Sequence, residues 1–296
     1  AYGTPRKLPR PDSLPGRVVV LDVAFAANAG GASYEKTTLP FIKGLGDRLA
    51  MWVDHHDHEK HVDYAGDARF VLRTKAQHGA CPEMVSPERV QAAGPVDTIC
   101  CHVDFDGLAS AAKWIRQGRE PYPGCDGDAR AVDTCQGEPG PIGAPIDRAL
   151  RARPRDPDLQ LAVVQYLVAS SSAEAAGRMI EAAAAEYADI EARTQQLAAS
   201  FVTLTAELSL VVVPPASMPY DKTLLLLLGQ ERTAMAVVVD GDTVTFAAGF
   251  DSGINFLECL GLSGGMPTRV SVRRSRLVEA LGLLGVPSSE LPRAGL

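Results

Sequence analysis

The chain has only six cysteines in 296 residues (positions 81, 100, 101, 125, 135 and 259), and no pair keeps the C-x-x-C spacing of a structural zinc or redox site. With Cys100 and Cys101 adjacent in an apolar run, they read as reduced thiols of a cytoplasmic protein. Positive charge is also short: 29 Lys and Arg stand against 36 Asp and Glu, a formal net charge of -7. That argues against a protein that coats long duplex nucleic acid, which needs many cationic contacts to phosphates, but leaves room for a local basic groove around a short substrate. No apolar run is long enough to cross a bilayer, and the leucine run Leu224 to Leu228 reads instead as a buried strand. Ala1 to Gly16 is rich in proline and charge and lacks the apolar core of a signal peptide. No internal repeat or low-complexity tract stands out. What remains is a globular composition, 46% hydrophobic and 22% charged, with enough chain for one or two domains.

Apolar strand signals recur at Val18-Val19-Val20-Leu21, Leu49 to Val53, Thr98 to Cys101 and Ala129 to Val132, each followed at once by Asp or His. Helical patterns such as Pro87 to Ala93 and Gly107 to Gln117 lie between them. This alternation predicts an α/β fold: a parallel sheet with helices on both faces, whose ligands gather at the carboxyl ends of the strands. Gln136 to Pro157 is rich in Pro and Gly and reads as an extended loop. Leu159 to about Phe201 is Ala/Glu-rich and helical, a connector. The tail, with strand signals at Leu210–Val213, Leu224–Leu228, Ala234–Val239 and Thr243–Ala248 and a hairpin signal at Asp240-Gly241-Asp242, reads as a smaller mixed α/β domain. The expected organisation is an extension over 1–16, a metal-binding domain over 17–157, connector helices over 158–202 and a substrate-binding domain over 203–296.

Four of the six histidines fall between Met51 and His61, in Met-Trp-Val-Asp54-His55-His56-Asp-His58-Glu-Lys-His61. Forty-six residues after His56, a second apolar run empties into His102-Val103-Asp104-Phe105-Asp106-Gly107. Asp22 and Asp133 close two further apolar runs. A divalent-ion pair for phosphoryl hydrolysis wants hard carboxylate oxygens, one of them shared, and a few neutral imidazoles, which these strand ends supply. In His102-x-Asp104-x-Asp106 the two carboxylates can face separate ions if the backbone leaves the extended state, and Gly107 permits that turn into a helix. Each residue also has a plainer reading. Asp22 suits a helix or turn cap, Asp133 with Thr134 an N-cap, and Asp54-His55-His56 a solvated turn. His58 and His61 read as exposed neighbours, and His78 as a surface or cap residue.

Asp54-His55-His56 and His102-x-Asp104-x-Asp106-Gly107, the latter followed by Leu108-Ala109-Ser110-Ala111-Ala112, resemble the signature motifs of the DHH phosphoesterase superfamily. That superfamily includes single-strand exonucleases, oligonucleotide and cyclic-dinucleotide phosphodiesterases, and manganese-dependent pyrophosphatases. Its usual order places the H-x-D-x-D strand first, whereas here it follows Asp-His-His, which implies a rearranged, circular-permutation-like topology. The resemblance covers residues 17 to 135 well and the tail poorly. It implies one ion on His102, Asp104 and Asp22, and a second on Asp106, His55, Asp133 and the shared Asp22. Asp54 would orient a histidine and His56 would face the substrate phosphate. Manganese is the first choice of metal and magnesium the second. Two ions so held can carry a bridging hydroxide and stabilise an in-line displacement.

The phosphodiesterase branch carries a G-G-G-H loop in its C-terminal domain. The nearest match, Ser263-Gly264-Gly265-Met266, keeps two glycines and lacks the histidine, and Asp251-Ser252 stands where an Arg-Ser pair is usual. Gly264 and Gly265 could still bring backbone N–H groups to a phosphate with Arg269 or Arg273 paired to it; a plain glycine turn with surface arginines is the alternative. The function implied is a two-metal phosphodiesterase acting on short single-stranded nucleic acid or small nucleotide phosphoesters, with no membrane partner. A pyrophosphatase-like hydrolase, for which Arg273-Arg274-Ser275-Arg276 is the basic cluster on offer, and a non-catalytic nucleotide-binding protein are the alternatives.

Overall fold

The computed structural model describes residues 1–28, 31–215 and 218–294. It divides into two compact units: residues 1–27 with 32–187, and residues from 188 onward together with Asn28 and Gly31. In the first unit, strands β1 (Val18–Leu21), β2 (Leu49–Asp54), β3 (Phe70–Leu72) and β4 (Thr98–Cys101) form one sheet in the order β3-β2-β1-β4, with every pairing parallel. Leu21 lies opposite Val53 on one side and Cys101 on the other. The next residues, Asp22, Asp54 and His102, therefore stand in one row at the carboxyl edge of the sheet.

Both faces of the sheet are covered, as its apolar strands require. Val18, Val20, Trp52 and Cys100 pack with Phe25 and with Phe41 and Leu45 of helix α1 (Thr38–Leu45). Val19, Leu21, Met51, Val53 and Cys101 pack on the other side against α2 (Pro87–Ala93), α3 (Phe105–Ile115), α4 (Cys125–Thr134), α5 (Gly143–Ala152), α6 (Pro157–Val168) and the first half of α7 (Glu174–Ala198). Helix α3 is buried from Phe105 to Trp114, so its position is held on all sides. The first residues also belong to this unit: the Gly3 N–H donates to the Cys101 carbonyl at 3.0 Å, and the Arg48 guanidinium donates to the carbonyls of Leu14 and Pro11.

The second unit is a five-stranded mixed sheet, β5 (Val202–Thr205), β6 (Leu208–Val212), β7 (Met235–Asp240), β8 (Thr243–Ala248) and β9 (Arg269–Arg273), in sequential order. Its helices are α8 (Lys222–Gln230), α9 (Phe256–Cys259) and α10 (Leu277–Leu283). The hairpin expected at Asp240-Gly241-Asp242 joins β7 to β8, with Gly241 at φ 56°. No helix among the described residues is long and apolar enough to cross a membrane.

Four local expectations are corrected. Ala129 to Val132 is not a strand but the middle of α4, which starts after Gly124 (φ 90°) and carries Asp126 and Asp128 in its first turn, where the helix dipole favours acids. Leu224 to Leu228 is helical because β6 and β7 run parallel and need a crossover; the Asp221 carboxylate caps that helix, accepting from the N–H groups of Thr223 and Leu224. The Pro/Gly stretch after Gln136 is not loop throughout, since Pro145 sits in the first turn of α5, where its missing N–H is harmless, and Ile146, Ala149 and Leu150 bury one face. The helical segment from Leu159 is broken in two, with Ser170 and Ser171 at φ 52° and 63° between α6 and α7. Helix α6 buries Leu159, Val163 and Leu167 in the core of the first unit.

Candidate metal centre

The strand-end residues of the first unit converge. Three overlapping groups of donors, each with its ligand atoms within 4.8 Å of one another, are Asp22/His102/Asp104, His55/Asp106/Asp133 and Asp22/His55/His56. Asp22 belongs to two of the three. It sits directly after β1 with a left-handed backbone (φ 56°), pinned by its N–H donating to the Val53 carbonyl at 2.9 Å. Asn and Asp tolerate this conformation better than most residues. Its Oδ1 is buried, makes no hydrogen bond, and lies 3.3 Å from His55 Nε2.

Each neighbour is oriented by a local bond. His55 Nδ1 donates to the His78 carbonyl (2.9 Å), which turns Nε2 toward Asp22, Asp106 (3.1 Å) and Asp133 (3.6 Å). The Asp54 carboxylate, fully buried, accepts from His56 Nδ1 at 2.9 Å and from the His56 N–H at 3.3 Å, fixing that ring. Asp104 caps α3, accepting from the Gly107 N–H at 3.0 Å, and pairs with His102 Nδ1 at 2.7 Å. Asp106, in the first turn of α3, accepts from the Cys81 N–H at 2.9 Å. Asp133 arrives from the last turn of α4, not from a strand end, and it is not an N-cap: the Thr134 hydroxyl beside it donates back to the Arg130 carbonyl.

Three of these carboxylates, Asp22, Asp54 and Asp106, are buried, and the cluster shifts the titration of its members. Burial, then the nearby charges of Asp106 and Asp104, push Asp22 well above the usual carboxylate range. Burial opposes a charge on His55, but Asp106 and Asp22 outweigh it and raise the ring to about 10. His102 rises to about 9 in the same way, with Asp104 overcoming burial, and Asp104 is held correspondingly low. His56 is pushed below its ordinary value by burial despite Asp54. In metal-free protein the His102 imidazole is therefore expected to titrate near 9 by NMR, and Asp104→Asn to bring its midpoint back toward 6.5. A wild-type midpoint near 6.5 would refute the pairing.

The centre is asymmetric in exposure. The side chains of Asp104, His102 and His56 are 45%, 30% and 24% exposed, whereas His55 is sealed. On the sealed side lies Lys75, a residue that sequence reasoning passed over. Its side chain is 3% exposed, and its Nζ donates to Asp133 Oδ2 and lies 3.3 Å from His55 Nε2. Burial lowers its pKa against the pull of Asp106 and Asp22. The available signal was Phe70-Val71-Leu72, which forms β3, the fourth parallel strand; Lys75 follows it at the same edge of the sheet.

His58 and His61 are not exposed neighbours. The His58 side chain is 2% exposed; its Nδ1 accepts from the Lys60 N–H and its Nε2 donates to the Ala26 carbonyl. Both rings pack against Phe25. His78 holds His55 through its backbone carbonyl, and its ring lies 3.4 Å from Glu83. In the second unit Gly264 and Gly265 have φ 67° and 104°, Arg269 Nη1 donates to Thr223 Oγ1 at 3.1 Å, and Arg273 is exposed at the end of β9. None of the four belongs to the donor groups, which all lie in the first unit.

No protein-family profile and no curated protein matches the chain. Solved structures do. One is the exonuclease RecJ bound to manganese, at 14% identity and a TM-score of 0.36, covering 63% of this chain; the chain spans about half of that protein (48%). Another is PggH, a pGpG-specific phosphodiesterase from Vibrio cholerae, at 12% identity and a TM-score of 0.44, covering 92% of this chain and 100% of that one.

Proposed function

We propose that this chain is a divalent-metal-dependent phosphodiesterase that hydrolyses short single-stranded oligonucleotides or small nucleotide phosphoesters. The observation that supports it most is the overlap of the three donor groups, two of which share Asp22, whose buried Oδ1 has no hydrogen bond of its own. That donor set, carboxylates with imidazoles, suits manganese, with magnesium second. Asp22, His102 and Asp104 would hold an ion at the open position; Asp106, His55, Asp133 and the shared Asp22 are the donors that a second ion would need. A divalent ion there supplies Lewis-acid neutralisation of the phosphate and activation of water at neutral pH. Asp54 holds His56 by Nδ1, leaving Nε2 for the substrate. The negative charge of an arriving phosphodiester raises the proton affinity of this ring, so His56 can donate to the leaving oxygen.

We assign metal chemistry to the first unit and substrate selection to the second, where the backbone of Gly264 and Gly265 with Arg269 and Arg273 would bind a phosphate. We read the order of the motifs as a rearranged version of the superfamily's. The free thiols, including buried Cys100 and Cys101, support a reducing, cytoplasmic setting.

The test is hydrolysis by metal-stripped protein with manganese added back. The panel is a linear dinucleotide, cyclic dinucleotides, short single strands, a 3',5'-bisphosphonucleoside and inorganic pyrophosphate. Cleavage of a dinucleotide or strand that Asp104→Ala abolishes is the expected result. Cleavage of pyrophosphate alone would replace the reading with a phosphoanhydride hydrolase, and nucleotide binding without turnover would replace it with a binding protein.

A further inference from the structure

The two candidate ion positions differ in what already fills them. The Asp22/His102/Asp104 group contains no lysine and opens to solvent through the 45%-exposed Asp104. In His55/Asp106/Asp133 two of the three donors are bonded or close to the Lys75 ammonium: Nζ donates to Asp133 Oδ2 and stands 3.3 Å from His55 Nε2. The third, Asp106, is held by the Cys81 N–H.

Lys75 is not a surface side chain that has folded inward. Its backbone N–H donates to Asp57 Oδ2 at 3.2 Å, and the turn that carries it is closed by the Gln77 and His78 N–H groups donating to the Thr74 carbonyl. The Thr74 N–H in turn donates to Gln77 Oε1. The same turn supplies the His78 carbonyl that orients His55. A lysine is almost never buried unless it is paired, and here the pairing partners are the proposed ligands themselves. An ammonium and a divalent cation a few ångströms apart in a partly desolvated site repel strongly, so the same donors do not serve both.

The geometry points to Lys75 as the resident cation of the inner position, so that the chain binds a single divalent ion, on Asp22, His102 and Asp104, and completes its positive charge with its own amine. This inference rests on the metal-dependent reading above. It departs from the two-ion centre implied by the motifs, and it keeps charge neutralisation toward the phosphate while removing the inner ion.

The experiment is metal content by elemental mass spectrometry, with electron paramagnetic resonance, on the full chain reconstituted with excess manganese and desalted. The wild type is expected to hold one ion per chain with the hyperfine pattern of isolated Mn2+. Lys75→Met, which frees the inner donors, is expected to hold two ions with an exchange-coupled spectrum. Two coupled ions in the wild type would overturn the inference while leaving the metal-dependent reading intact, and so would a single ion in a folded Lys75→Met protein. No ion in either protein would sink the metal-dependent reading itself. Should Lys75→Met fail to fold, Asp133→Asn and Asp104→Ala decide the matter. The inference expects the first to keep the single ion and the second to lose it; loss in Asp133→Asn would overturn it.

Discussion

Asp22→Asn is expected to lower metal-dependent turnover by roughly three orders of magnitude or more, with the fold intact. Asp22 is common to the outer donor group and to the group with His55 and His56, so its loss disturbs the centre more than loss of any terminal ligand. Asparagine is the cleaner substitution because residue 22 sits at φ 56°, which asparagine tolerates and alanine does not; Asp22→Ala would add a backbone cost of about 1–2 kcal/mol unrelated to the chemistry. In the metal-free state the native carboxylate is buried beside Asp104 and Asp106, which raises its pKa. Removing its charge relieves that repulsion, so the metal-free variant should melt at or above the wild-type temperature. Saturating manganese should then stabilise the wild type strongly and the variant little, since ligand binding to the native state is what shifts the transition. Full activity in a folded Asp22→Asn protein would remove Asp22 from the centre.

Gly107→Ala is expected to cost about 3 kcal/mol of stability and to weaken metal binding at the same time. A Cβ at position 107 would lie 2.6 Å from the His102 carbonyl oxygen, 2.8 Å from its carbon and 2.9 Å from its Cα. All three are backbone atoms, so no side chain can swing away. Helix α3 cannot retreat either, being buried along its length. The strain falls on the turn that sets His102 and Asp104, and with it on the ion they would hold. Gly127→Ala in α4 is the control: nothing lies within 4 Å of its added Cβ, and it should gain about 0.5–1 kcal/mol from helix propensity. Denaturant melts of the two variants, with manganese affinity measured on each, separate crowding from a general intolerance of glycine replacement. Equal stability of both variants would refute the close-approach account. Gly107 is therefore required because the helix passes close to the strand end; its backbone φ is not in the left-handed region.

The sequence made the strand ends legible because a buried parallel strand must be apolar and must stop where the chain turns polar. Asp22, Asp54 and His102 follow three such runs, and the structure brings them to one edge. Asp133 also reaches the cluster, but from a helix. A short Ala-Arg-Ala-Val run has no period that separates strand from helix, and the deciding features, Gly124 and the acids of the first turn, lie upstream of it. The Leu224–Leu228 run reads as a strand for the same reason, and only the parallel pairing of β6 and β7 shows that a crossover helix is needed there. Lys75 stayed hidden because its strand is three residues long and a lysine in a polar turn looks solvated. Only the tertiary position of that turn, over His55, makes it part of the centre.

The row in which Leu21, Val53 and Cys101 stand side by side has an evolutionary consequence. Asp22, Asp54 and His102 owe their proximity to lateral neighbours and to the length of each strand, and nothing in that arrangement depends on which strand is translated first. Ancestral genes could be cut at one connecting loop and rejoined at another while every donor kept its place, provided each segment still ended at the same level of the sheet. Selection on such a site acts on where strands stop, and leaves the itinerary of the chain free to drift.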